Sequence, residues 1–143
     1  MNVEGILKGK GSNVLGLNEN DSIESAVAIL AEKKIGATVV LDEAGKLIGI
    51  LSERDIVREI GNQGASVLSK AIKNIMTKDV QTCSPSDAVA KIMAQMTEGR
   101  FRHLPVIDNG NLVGIISIGD VVKNRINELE FEANAMRDYI TSG

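Results

Sequence analysis

Leu47-Ile48-Gly49-Ile50-Leu51-Ser52-Glu53-Arg54-Asp55-Ile56-Val57-Arg58 recurs 65 residues later as Leu112-Val113-Gly114-Ile115-Ile116-Ser117-Ile118-Gly119-Asp120-Val121-Val122-Lys123. Six of the twelve positions are identical, and four more exchange Ile with Val, Leu with Ile or Arg with Lys. Chance at average composition gives roughly one identity. Upstream the offset becomes 66, because Asp42-Glu43-Ala44-Gly45 is one residue longer than Asp108-Asn109-Gly110. A hairpin turn absorbs such a change cheaply, so the length difference places a turn between two strands in each copy. The chain is built on a duplicated unit.

Working outward, both copies follow one order. A short apolar strand is expected at 14–17 and again at 80–83. A helix follows, with Ser84 as N-cap, Pro85 at N1 and Asp87 at N3, and with Asn18-x-x-Asp21 as the matching signal in the first copy. Apolar residues then recur at helical spacing, at Ile23, Val27 and Leu30 and at Val89, Ile92, Met93 and Met96. Two strands flank each turn, 37–41 with 46–51 and 103–107 with 112–116, and a second helix starts after Ser52 and after Ser117. The unit is therefore β-α-β-β-α.

The segments are an N-terminal stretch 1–13, a first repeat 14–60, a linker 61–79, a second repeat 80–123 and a C-terminal helical extension 124–143. Gly61-Asn62-Gln63-Gly64 breaks the chain, and 66–76 reads as a connecting helix. Ile75-Met76-Thr77, ahead of the second repeat, echoes Ile6-Leu7-Lys8 ahead of the first. A lone three-stranded unit with one covered face cannot bury its apolar surface. The expected fold class is α+β, with the repeats packed sheet to sheet as one pseudo-two-fold module plus a long C-terminal helix.

Composition narrows the function. The 143 residues carry 16 Lys+Arg against 19 Asp+Glu, a formal charge of -3, and aromatic residues make up 2%. There is no Trp, and Phe101, Phe131 and Tyr139 are the only aromatic side chains. Aromatic stacking platforms and a basic duplex-binding face are thereby excluded, so no nucleic-acid partner is expected. One cysteine, Cys83, and one histidine, His103, make neither a disulfide framework nor a Cys/His zinc site. Residues 1–11 hold no signal-peptide core, and no window approaches the ~20 apolar residues of a membrane span. The reading is cytoplasmic, with no membrane partner.

The repeated Gly-h-h-Ser-x-x-Asp (h, apolar) sits at a strand-to-helix junction, and two readings of it stand side by side. Ser-x-x-Asp is a helix capping box, the acid also favoured by the helix dipole. Alternatively the carboxylate accepts both hydroxyls of a ribose, each charge-assisted bond contributing about 1.5–3 kcal/mol, with the preceding Gly allowing close approach.

The tandem units resemble a pair of CBS domains, a Bateman module. Met76-Thr77, Cys83-Ser84-Pro85-Ser86-Asp87, Arg102-His103-Leu104-Pro105-Val106 and Gly114…Asp120 carry the likeness in the second copy. Ile35-Gly36-Ala37, Gly49…Asp55 and Ser52-Glu53-Arg54-Asp55 carry it in the first. The resemblance implies regulatory binding of an adenosine compound (AMP, ADP, ATP, NAD(H) or S-adenosylmethionine) in clefts between the repeats. Carried over, one site combines Ser52, Arg54 and Asp55 with Phe101, Arg102 and His103. Its pseudo-dyad mate combines Ser117, Gly119 and Asp120 with Ile35, Gly36 and Ala37, and Val80, Thr82, Leu17 and Ile115 are candidates to line the base. The Asp55 site is the richer in cations and is expected to take the more phosphate-rich ligand or part of it.

Other features weigh less. His103 has no nucleophile signalled beside it, so a phosphate contact or a half-buried imidazole is favoured over a general base. Cys83, just before the expected helix start, reads as a buried thiol rather than a reactive one. Gly9-Lys10-Gly11-Ser12 lacks the spacing of a phosphate-binding loop. Val122, Ile126, Leu129, Ala133, Met136 and Ile140 alternate spacings of four and three, a narrow seam that suits a homodimer contact or folding back on the module. The function expected is a non-enzymatic nucleotide sensor that modulates an unidentified partner protein. The alternatives are an interaction module whose Ser-x-x-Asp boxes only cap helices, and a nucleotide hydrolase.

Overall fold

The computed structural model describes residues 1–10, 14 and 16–142, the side chain of Ser142 apart. In the first repeat β1 (Gly16–Asn18) precedes α2 (Ile23–Lys33), β2 (Ala37–Leu41), β3 (Leu47–Ser52) and α3 (Glu53–Gln63). The second runs α4 (Val89–Gly99), β4 (His103–Asp108), β5 (Asn111–Ser117) and α5 (Ile118–Ser142), and α1 (Val3–Lys10) precedes both. In the three-stranded sheet β1 lies parallel to β2 and β2 antiparallel to β3, while β4 and β5 form the matching antiparallel hairpin. Equivalent residues occupy equivalent registers: Ala37 faces Ser52 as His103 faces Ser117.

Burial explains the layering. Val40 and Leu51 belong to a core with Ile23, Ala26 and Leu30 of α2, and Leu104, Val106 and Ile116 to a second core with Val89, Ile92 and Met96 of α4. Yet β2 is buried at four successive positions, Ala37 to Val40, and β4 at Leu104, Pro105 and Val106. Strands buried at both parities are covered on both faces. Helices α2 and α4, which share those cores, cover one face of each hairpin.

The echo of Ile6-Leu7-Lys8 in Ile75-Met76-Thr77 marks an exchange of arms. The segment before each repeat packs on the other one. Val3 N–H donates to the Asp87 carbonyl and Glu4 N–H to that of Pro85, just as Ile72 N–H donates to Asp21 and Lys73 N–H to Glu19. Val89 N–H returns a bond to Met1, and Ile23 N–H to Lys70. A Cβ on Gly49 would sit 2.7 Å from Met76 Sδ, and one on Gly114 would sit 2.6 Å from Leu7 Cδ2. The motif glycine in each copy thus makes room for the incoming arm.

Several elements depart from the sequence expectation, each for a physical reason. The strand expected at 80–83 shrinks to a parallel bridge between Cys83 and Val106. Extending it toward Gln81 requires an amide hydrogen at Pro105, and extending it forward requires one at Pro85; neither exists. The first copy, with Val39 where the second has Pro105, keeps a three-residue strand, shifted to Gly16–Asn18 from the expected 14–17. Both first helices start four residues late, after Ser22 and Ala88, because those residues are held extended by bridges to Ala71 and Asn2. Ser84 and Asp87 instead close a turn, the Ser84 amide donating to the Asp87 carboxylate at 2.9 Å. The connecting helix expected over 66–76 is two 3-10 turns, Ala65–Ser69 and Ile72–Asn74, since Lys70–Asn74 spends its backbone on the first repeat. The second helix of the second repeat and the C-terminal extension are one 25-residue helix, α5.

Candidate functional site

Both Ser-x-x-Asp motifs cap their helices. Ser52 Oγ accepts from Asp55 N–H at 3.2 Å while Ser52 N–H donates to Asp55 Oδ2 at 3.2 Å, the full reciprocal box. Ser117 and Asp120 repeat it at 3.2 and 2.9 Å. Capping does not exhaust either carboxylate, which offers about four lone-pair directions. Asp55 is 6% exposed; its Oδ2 also accepts from Ser52 Oγ at 3.0 Å and Thr77 Oγ1 at 3.5 Å, and its Oδ1 takes the Arg58 guanidinium at 3.0 Å.

Beside Asp55 lies a cavity of about 320 Å³, at the small end of the range for ligand sites. Its walls come from both repeats: Ser52, Arg54, Asp55 and Arg58 from the start of α3, and Arg100 to His103 from the loop before β4. Arg54 Nη1 donates to the Arg100 carbonyl at 3.3 Å and so ties the repeats together at the cavity mouth. Four arginines, Arg54, Arg58, Arg100 and Arg102, and two acidic residues, Glu53 and Asp55, line it. Burial holds His103 below its ordinary value; the Lys10 ammonium and Arg102 add to this, against the opposite pull of Asp120 and Glu53. It is neutral at pH 7, with a donor and an acceptor nitrogen to offer.

The pseudo-dyad mate is built differently. Lys10, at the end of α1, places its Nζ 2.5 Å from Asp120 Oδ2. Burial acts to raise the Asp120 carboxyl, but the Lys10 ammonium and the Ser117 amide outweigh it and hold it below the usual carboxylate value. Where Asp55 meets the neutral Thr77 hydroxyl, Asp120 meets a cation.

Of the site residues expected from sequence, the structure gathers Ser52, Arg54, Asp55, Phe101, Arg102 and His103 around one cavity. Gly36 and Ala37, expected opposite Asp120, line that same cavity, because the Ala37–Ser52 pairing holds them beside the start of α3. Ser117, Gly119 and Asp120 lie outside it, and Ile35 packs into the first core. Leu17, 3% exposed, is also a core residue, and neither Val80, Thr82 nor Ile115 lines the cavity; Ile50, the counterpart of Ile115, does.

The family description CBS domain matches residues 11–62 and again 72–127. Among curated proteins the chain is 34% identical over 149 residues to the CBS domain-containing protein CBSX3, mitochondrial, of Arabidopsis thaliana, covering 99% of this chain and 72% of that one. The crystal structure of the CBS-domain containing protein ATU1752 from Agrobacterium tumefaciens superposes with a TM-score of 0.85 at 45% identity, over 87% of this chain and 92% of that one. The CBS domain pair of protein MJ0100, crystallised with 5'-methylthioadenosine and S-adenosyl-L-methionine, matches with a TM-score of 0.79 at 27% identity over 90% and 98%. The chain belongs to the CBS-domain family and carries a tandem pair.

Proposed function

We propose that this CBS pair is a regulatory module, without chemistry of its own, that binds an anionic adenine nucleotide in the Asp55 cavity. The observation that carries the reading is the cavity itself: a buried carboxylate at a helix start, with four arginines drawn from both repeats. Asp55 accepts the ribose hydroxyls once Arg58, whose side chain is 53% exposed, swings toward the phosphates. Arg54, Arg100 and Arg102 are suited to bidentate phosphate contacts, and neutral His103 donates to a phosphate oxygen. Apolar Ile50 and Phe101 meet the base. The guanidinium excess favours AMP, ATP or NAD(H) over the sulfonium cation of S-adenosylmethionine.

Ligand bridging the repeats competes for Arg54, which now holds the Arg100 carbonyl, and so favours one arrangement of the two halves. A partner protein in the cytoplasm reads that arrangement. The exposed Ile126, Leu129, Met136 and Ile140 of α5 form the surface for a homodimer contact. The second reading, that the boxes only cap helices, is favoured by the complete capping geometry at Ser52 and Asp55. Thermal melting with AMP, ATP, NAD and S-adenosylmethionine separates them: the three phosphate compounds raise the melting temperature in the first reading, and none of the four does in the second.

A further inference from the structure

We propose that Lys10 latches the Asp120 half of the module, standing where a nucleotide's ribose would, so that the chain takes one nucleotide and not two. The inference rests on the nucleotide reading of the Asp55 cavity and extends it to the sister repeat.

The two arms deliver different chemistry to equivalent carboxylates. The arm before the second repeat runs extended along β3, bridging Thr77 to Ile50, and brings a neutral hydroxyl within 3.5 Å of Asp55. The arm before the first repeat is the helix α1, anchored on the second repeat by buried Val3, Ile6 and Leu7. Its last turn carries Lys10, whose ammonium bonds Asp120 at 2.5 Å. The same ammonium is near enough to act on His103, which puts it on the inner side of Asp120, facing the inter-repeat loop. A ribose hydroxyl approaching Asp120 must therefore displace a cation. At Asp55 the corresponding Arg58 arrives from the solvent side of its own helix and is free to swing away. A site open only a small fraction of the time binds with its intrinsic affinity reduced by that fraction.

Titration calorimetry of the full chain with AMP tests this, using Lys10→Ala and, with the apolar stem kept, Lys10→Met. The wild type is expected to bind about one AMP per chain and each Lys10 variant about two; adding Asp120→Asn returns the variants to about one. A wild type binding two, or Lys10 variants still binding one, overturns the latch and leaves the Asp55 reading intact. No AMP bound by wild type or variants overturns the Asp55 reading and the latch with it. The Lys10–Asp120 pair is partly solvated, with side chains 36% and 24% exposed, so its loss leaves the fold standing.

Discussion

Arg54 Nη1 of the first repeat donates to the carbonyl of Arg100 in the second, 3.3 Å away, directly over the cavity that both residues line. Arg54 satisfies a backbone carbonyl that a bound phosphate cannot replace, so phosphate and inter-repeat contact compete for one guanidinium. That competition is a physical link between occupancy and the arrangement of the repeats. Its size is bounded by the difference in affinity between the two arrangements.

Results

Sequence analysis

Leu47-Ile48-Gly49-Ile50-Leu51-Ser52-Glu53-Arg54-Asp55-Ile56-Val57-Arg58 recurs 65 residues later as Leu112-Val113-Gly114-Ile115-Ile116-Ser117-Ile118-Gly119-Asp120-Val121-Val122-Lys123. Six of the twelve positions are identical, and four more exchange Ile with Val, Leu with Ile or Arg with Lys. Chance at average composition gives roughly one identity. Upstream the offset becomes 66, because Asp42-Glu43-Ala44-Gly45 is one residue longer than Asp108-Asn109-Gly110. A hairpin turn absorbs such a change cheaply, so the length difference places a turn between two strands in each copy. The chain is built on a duplicated unit.

Working outward, both copies follow one order. A short apolar strand is expected at 14–17 and again at 80–83. A helix follows, with Ser84 as N-cap, Pro85 at N1 and Asp87 at N3, and with Asn18-x-x-Asp21 as the matching signal in the first copy. Apolar residues then recur at helical spacing, at Ile23, Val27 and Leu30 and at Val89, Ile92, Met93 and Met96. Two strands flank each turn, 37–41 with 46–51 and 103–107 with 112–116, and a second helix starts after Ser52 and after Ser117. The unit is therefore β-α-β-β-α.

The segments are an N-terminal stretch 1–13, a first repeat 14–60, a linker 61–79, a second repeat 80–123 and a C-terminal helical extension 124–143. Gly61-Asn62-Gln63-Gly64 breaks the chain, and 66–76 reads as a connecting helix. Ile75-Met76-Thr77, ahead of the second repeat, echoes Ile6-Leu7-Lys8 ahead of the first. A lone three-stranded unit with one covered face cannot bury its apolar surface. The expected fold class is α+β, with the repeats packed sheet to sheet as one pseudo-two-fold module plus a long C-terminal helix.

Composition narrows the function. The 143 residues carry 16 Lys+Arg against 19 Asp+Glu, a formal charge of -3, and aromatic residues make up 2%. There is no Trp, and Phe101, Phe131 and Tyr139 are the only aromatic side chains. Aromatic stacking platforms and a basic duplex-binding face are thereby excluded, so no nucleic-acid partner is expected. One cysteine, Cys83, and one histidine, His103, make neither a disulfide framework nor a Cys/His zinc site. Residues 1–11 hold no signal-peptide core, and no window approaches the ~20 apolar residues of a membrane span. The reading is cytoplasmic, with no membrane partner.

The repeated Gly-h-h-Ser-x-x-Asp (h, apolar) sits at a strand-to-helix junction, and two readings of it stand side by side. Ser-x-x-Asp is a helix capping box, the acid also favoured by the helix dipole. Alternatively the carboxylate accepts both hydroxyls of a ribose, each charge-assisted bond contributing about 1.5–3 kcal/mol, with the preceding Gly allowing close approach.

The tandem units resemble a pair of CBS domains, a Bateman module. Met76-Thr77, Cys83-Ser84-Pro85-Ser86-Asp87, Arg102-His103-Leu104-Pro105-Val106 and Gly114…Asp120 carry the likeness in the second copy. Ile35-Gly36-Ala37, Gly49…Asp55 and Ser52-Glu53-Arg54-Asp55 carry it in the first. The resemblance implies regulatory binding of an adenosine compound (AMP, ADP, ATP, NAD(H) or S-adenosylmethionine) in clefts between the repeats. Carried over, one site combines Ser52, Arg54 and Asp55 with Phe101, Arg102 and His103. Its pseudo-dyad mate combines Ser117, Gly119 and Asp120 with Ile35, Gly36 and Ala37, and Val80, Thr82, Leu17 and Ile115 are candidates to line the base. The Asp55 site is the richer in cations and is expected to take the more phosphate-rich portion of a ligand.

Other features weigh less. His103 has no nucleophile signalled beside it, so a phosphate contact or a half-buried imidazole is favoured over a general base. Cys83, just before the expected helix start, reads as a buried thiol rather than a reactive one. Gly9-Lys10-Gly11-Ser12 lacks the spacing of a phosphate-binding loop. Val122, Ile126, Leu129, Ala133, Met136 and Ile140 alternate spacings of four and three, a narrow seam that suits a homodimer contact or folding back on the module. The function expected is a non-enzymatic nucleotide sensor that modulates an unidentified partner protein. The alternatives are an interaction module whose Ser-x-x-Asp boxes only cap helices, and a nucleotide hydrolase.

Overall fold

The computed structural model describes residues 1–10, 14 and 16–142, the side chain of Ser142 apart. Gly11 and Ser12, and Leu15 of the expected first strand, lie outside the described residues. In the first repeat β1 (Gly16–Asn18) precedes α2 (Ile23–Lys33), β2 (Ala37–Leu41), β3 (Leu47–Ser52) and α3 (Glu53–Gln63). The second runs α4 (Val89–Gly99), β4 (His103–Asp108), β5 (Asn111–Ser117) and α5 (Ile118–Ser142), and α1 (Val3–Lys10) precedes both. In the three-stranded sheet β1 lies parallel to β2 and β2 antiparallel to β3, while β4 and β5 form the matching antiparallel hairpin. Equivalent residues occupy equivalent registers: Ala37 faces Ser52 as His103 faces Ser117. Among the described residues no helix is long and apolar enough to cross a membrane.

Burial explains the layering. Val40 and Leu51 belong to a core with Ile23, Ala26 and Leu30 of α2, and Leu104, Val106 and Ile116 to a second core with Val89, Ile92 and Met96 of α4. Yet β2 is buried at four successive positions, Ala37 to Val40, and β4 at Leu104, Pro105 and Val106. Strands buried at both parities are covered on both faces. Helices α2 and α4, which share those cores, cover one face of each hairpin.

The echo of Ile6-Leu7-Lys8 in Ile75-Met76-Thr77 marks an exchange of arms. The segment before each repeat packs on the other one. Val3 N–H donates to the Asp87 carbonyl and Glu4 N–H to that of Pro85, just as Ile72 N–H donates to Asp21 and Lys73 N–H to Glu19. Val89 N–H returns a bond to Met1, and Ile23 N–H to Lys70. A Cβ on Gly49 would sit 2.7 Å from Met76 Sδ, and one on Gly114 would sit 2.6 Å from Leu7 Cδ2. The motif glycine in each copy thus makes room for the incoming arm.

Several elements depart from the sequence expectation, each for a physical reason. The strand expected at 80–83 shrinks to a parallel bridge between Cys83 and Val106. Extending it toward Gln81 requires an amide hydrogen at Pro105, and extending it forward requires one at Pro85; neither exists. The first copy, with Val39 where the second has Pro105, keeps a three-residue strand, shifted to Gly16–Asn18 from the expected 14–17. Both first helices start four residues late, after Ser22 and Ala88, because those residues are held extended by bridges to Ala71 and Asn2. Ser84 and Asp87 instead close a turn, the Ser84 amide donating to the Asp87 carboxylate at 2.9 Å. The connecting helix expected over 66–76 is two 3-10 turns, Ala65–Ser69 and Ile72–Asn74, since residues 70–73 spend backbone groups on the first repeat. The second helix of the second repeat and the C-terminal extension are one 25-residue helix, α5.

Candidate functional site

Both Ser-x-x-Asp motifs cap their helices. Ser52 Oγ accepts from Asp55 N–H at 3.2 Å while Ser52 N–H donates to Asp55 Oδ2 at 3.2 Å, the full reciprocal box. Ser117 and Asp120 repeat it at 3.2 and 2.9 Å. Capping does not exhaust either carboxylate, which offers about four lone-pair directions. Asp55 is 6% exposed; its Oδ2 also accepts from Ser52 Oγ at 3.0 Å and Thr77 Oγ1 at 3.5 Å, and its Oδ1 takes the Arg58 guanidinium at 3.0 Å.

Beside Asp55 lies a cavity of about 320 Å³, at the small end of the range for ligand sites. Its walls come from both repeats: Ser52, Arg54, Asp55 and Arg58 from the start of α3, and Arg100 to His103 from the loop leading into β4. Arg54 Nη1 donates to the Arg100 carbonyl at 3.3 Å and so ties the repeats together beside the cavity. Four arginines, Arg54, Arg58, Arg100 and Arg102, and two acidic residues, Glu53 and Asp55, line it. Burial holds His103 below its ordinary value; the Lys10 ammonium and Arg102 add to this, against the opposite pull of Asp120 and Glu53. At pH 7 its ring is predominantly neutral, with one donor and one acceptor nitrogen to offer.

The pseudo-dyad mate is built differently. Lys10, at the end of α1, places its Nζ 2.5 Å from Asp120 Oδ2. Burial acts to raise the Asp120 carboxyl, but the Lys10 ammonium and the Ser117 amide outweigh it and hold it below the usual carboxylate value. Where Asp55 meets the neutral Thr77 hydroxyl, Asp120 meets the Lys10 ammonium.

Of the site residues expected from sequence, the structure gathers Ser52, Arg54, Asp55, Phe101, Arg102 and His103 around one cavity. Gly36 and Ala37, expected opposite Asp120, line that same cavity, because the Ala37–Ser52 pairing holds them beside the start of α3. Ser117, Gly119 and Asp120 lie outside it, and Ile35 packs into the first core. Leu17, 3% exposed, is also a core residue, and neither Val80, Thr82 nor Ile115 lines the cavity; Ile50, the counterpart of Ile115, does. The sequence reading does not single out Arg58, Thr77 or Arg100, which all line the cavity. Arg58 is legible as one helical turn beyond Arg54 and Arg100 as the neighbour of Phe101, whereas Thr77 reaches Asp55 only through the exchanged arm.

A duplicated β-α-β-β-α unit with exchanged arms and an inter-repeat cleft defines a paired-repeat module. The family description CBS domain matches residues 11–62 and again 72–127. Among curated proteins the chain is 34% identical over 149 residues to the CBS domain-containing protein CBSX3, mitochondrial, of Arabidopsis thaliana, covering 99% of this chain and 72% of that one. The crystal structure of the CBS-domain containing protein ATU1752 from Agrobacterium tumefaciens superposes with a TM-score of 0.85 at 45% identity, over 87% of this chain and 92% of that one. The CBS domain pair of protein MJ0100, crystallised with 5'-methylthioadenosine and S-adenosyl-L-methionine, matches with a TM-score of 0.79 at 27% identity over 90% and 98%. The chain belongs to the CBS-domain family and carries a tandem pair.

Proposed function

We propose that this CBS pair is a regulatory module, without chemistry of its own, that binds an anionic adenine nucleotide in the Asp55 cavity. The observation that carries the reading is the cavity itself: a buried carboxylate at a helix start, with four arginines drawn from both repeats. Asp55 accepts the ribose hydroxyls once Arg58, whose side chain is 53% exposed, swings toward the phosphates. Arg54, Arg100 and Arg102 are suited to bidentate phosphate contacts, and neutral His103 donates to a phosphate oxygen. Apolar Ile50 and Phe101 meet the base. The guanidinium excess favours AMP, ATP or NAD(H) over the sulfonium cation of S-adenosylmethionine.

Ligand bridging the repeats competes for Arg54, which now holds the Arg100 carbonyl, and so favours one arrangement of the two halves. A partner protein in the cytoplasm reads that arrangement. The exposed Ile126, Leu129, Met136 and Ile140 of α5 form the surface for a homodimer contact. The second reading, that the boxes only cap helices, is favoured by the complete capping geometry at Ser52 and Asp55. Thermal melting with AMP, ATP, NAD and S-adenosylmethionine separates them. The three phosphate compounds raise the melting temperature in the first reading, and none of the ligands does in the second.

A further inference from the structure

We propose that Lys10 latches the Asp120 half of the module, standing where a nucleotide's ribose would, so that the chain takes one nucleotide and not two. The inference rests on the nucleotide reading of the Asp55 cavity and extends it to the sister repeat.

The two arms deliver different chemistry to equivalent carboxylates. The arm before the second repeat bridges to β3 through Thr77 and Ile50, and brings a neutral hydroxyl within 3.5 Å of Asp55. The arm before the first repeat is the helix α1, anchored on the second repeat by buried Val3, Ile6 and Leu7. Its last turn carries Lys10, whose ammonium bonds Asp120 at 2.5 Å. The same ammonium also acts electrostatically on His103, the first residue of β4. A ribose hydroxyl approaching Asp120 must therefore displace a cation held by a docked helix. At Asp55 the corresponding cation, Arg58, lies on α3 itself with a side chain 53% exposed, against 36% for Lys10, and swings into solvent more readily. A site open only a small fraction of the time binds with its intrinsic affinity reduced by that fraction.

Titration calorimetry of the full chain with AMP tests this, using Lys10→Ala and, with the apolar stem kept, Lys10→Met. The wild type is expected to bind about one AMP per chain and each Lys10 variant about two; adding Asp120→Asn returns the variants to about one. A wild type binding two, or Lys10 variants still binding one, overturns the latch and leaves the Asp55 reading intact. No AMP bound by wild type or variants overturns the Asp55 reading and the latch with it. The Lys10–Asp120 pair is partly solvated, with side chains 36% and 24% exposed, so its loss leaves the fold standing.

Discussion

Arg54 Nη1 of the first repeat donates to the carbonyl of Arg100 in the second, 3.3 Å away, and both residues line the same cavity. Under the proposed function, a phosphate bound there would compete with the Arg100 carbonyl for one guanidinium. That competition is a physical link between occupancy and the arrangement of the repeats. Its size is bounded by the difference in ligand affinity between the two arrangements.

Under the proposed function Arg102 distinguishes phosphate from nucleoside recognition, since it is exposed at the cavity and makes no bond to Asp55 among those of the described residues. Arg102→Ala is expected to weaken AMP about tenfold and leave adenosine within about twofold, the worth of one charge-assisted bond. Calorimetry with both ligands checks it. Equal losses would move Arg102 from the phosphate to the base.

The exchanged arms predict an order of stabilities. A methyl at Gly49 meets Met76 Sδ at 2.7 Å and the Thr77 carbonyl oxygen at 3.0 Å, and that carbonyl is fixed by its bond from Ile50 N–H. At Gly114 the contacts are with the far end of the Leu7 side chain, which yields more easily than a hydrogen-bonded backbone carbonyl. Gly49→Ala should cost about 1–3 kcal/mol and Gly114→Ala less, read from urea midpoints. The reverse order would contradict the packing of the arms.

Much of this architecture is legible in the sequence, because a duplication states its own boundaries. The hairpins and both Ser caps follow from the repeated Gly-h-h-Ser-x-x-Asp, where local chemistry and tertiary role agree. The misplaced helix starts and the missing linker helix share one cause, contacts with the arms. Ser84-Pro85-Ser86-Asp87 has the chemistry of a helix start, yet Ala88 is held extended by Asn2, 86 residues away in sequence. The 3-10 turns replacing the linker helix arise the same way, from bonds to the first repeat. Thr77 and Lys10 reach their carboxylates through those arms, and no local pattern announces a partner that far along the chain.

Cys83 is set apart from redox chemistry. It is 6% exposed, and burial first, then the nearby Asp87 carboxylate, push its thiol up to about 12. The reactive thiolate is therefore scarce at pH 8, so an aromatic disulfide reagent should react with the native protein only through unfolding. The rate in buffer is expected to track added urea. Stoichiometric labelling within seconds in buffer would contradict the burial.

The C-terminal half of α5 exposes Phe131, Met136, Tyr139 and Ile140 at 61–77%. Ending the chain after Lys123 removes that surface without touching either core. Sedimentation velocity should show a dimer for the full chain and a monomer for the shortened one. An unchanged dimer would place the contact on another face.

The central claim is that Asp55 holds a ribose as well as a helix end. Asp55→Asn keeps a side-chain oxygen for the Ser52 amide, so the cap survives while the charge is lost. Calorimetric titration of AMP into the wild type and into Asp55→Asn, with melting curves to confirm that both are folded, is the direct test. The account predicts saturable binding to the wild type and a loss of about 100-fold in the variant, as expected for two weakened charge-assisted bonds. A folded wild type that takes up no AMP, or a variant that binds it equally well, would contradict it.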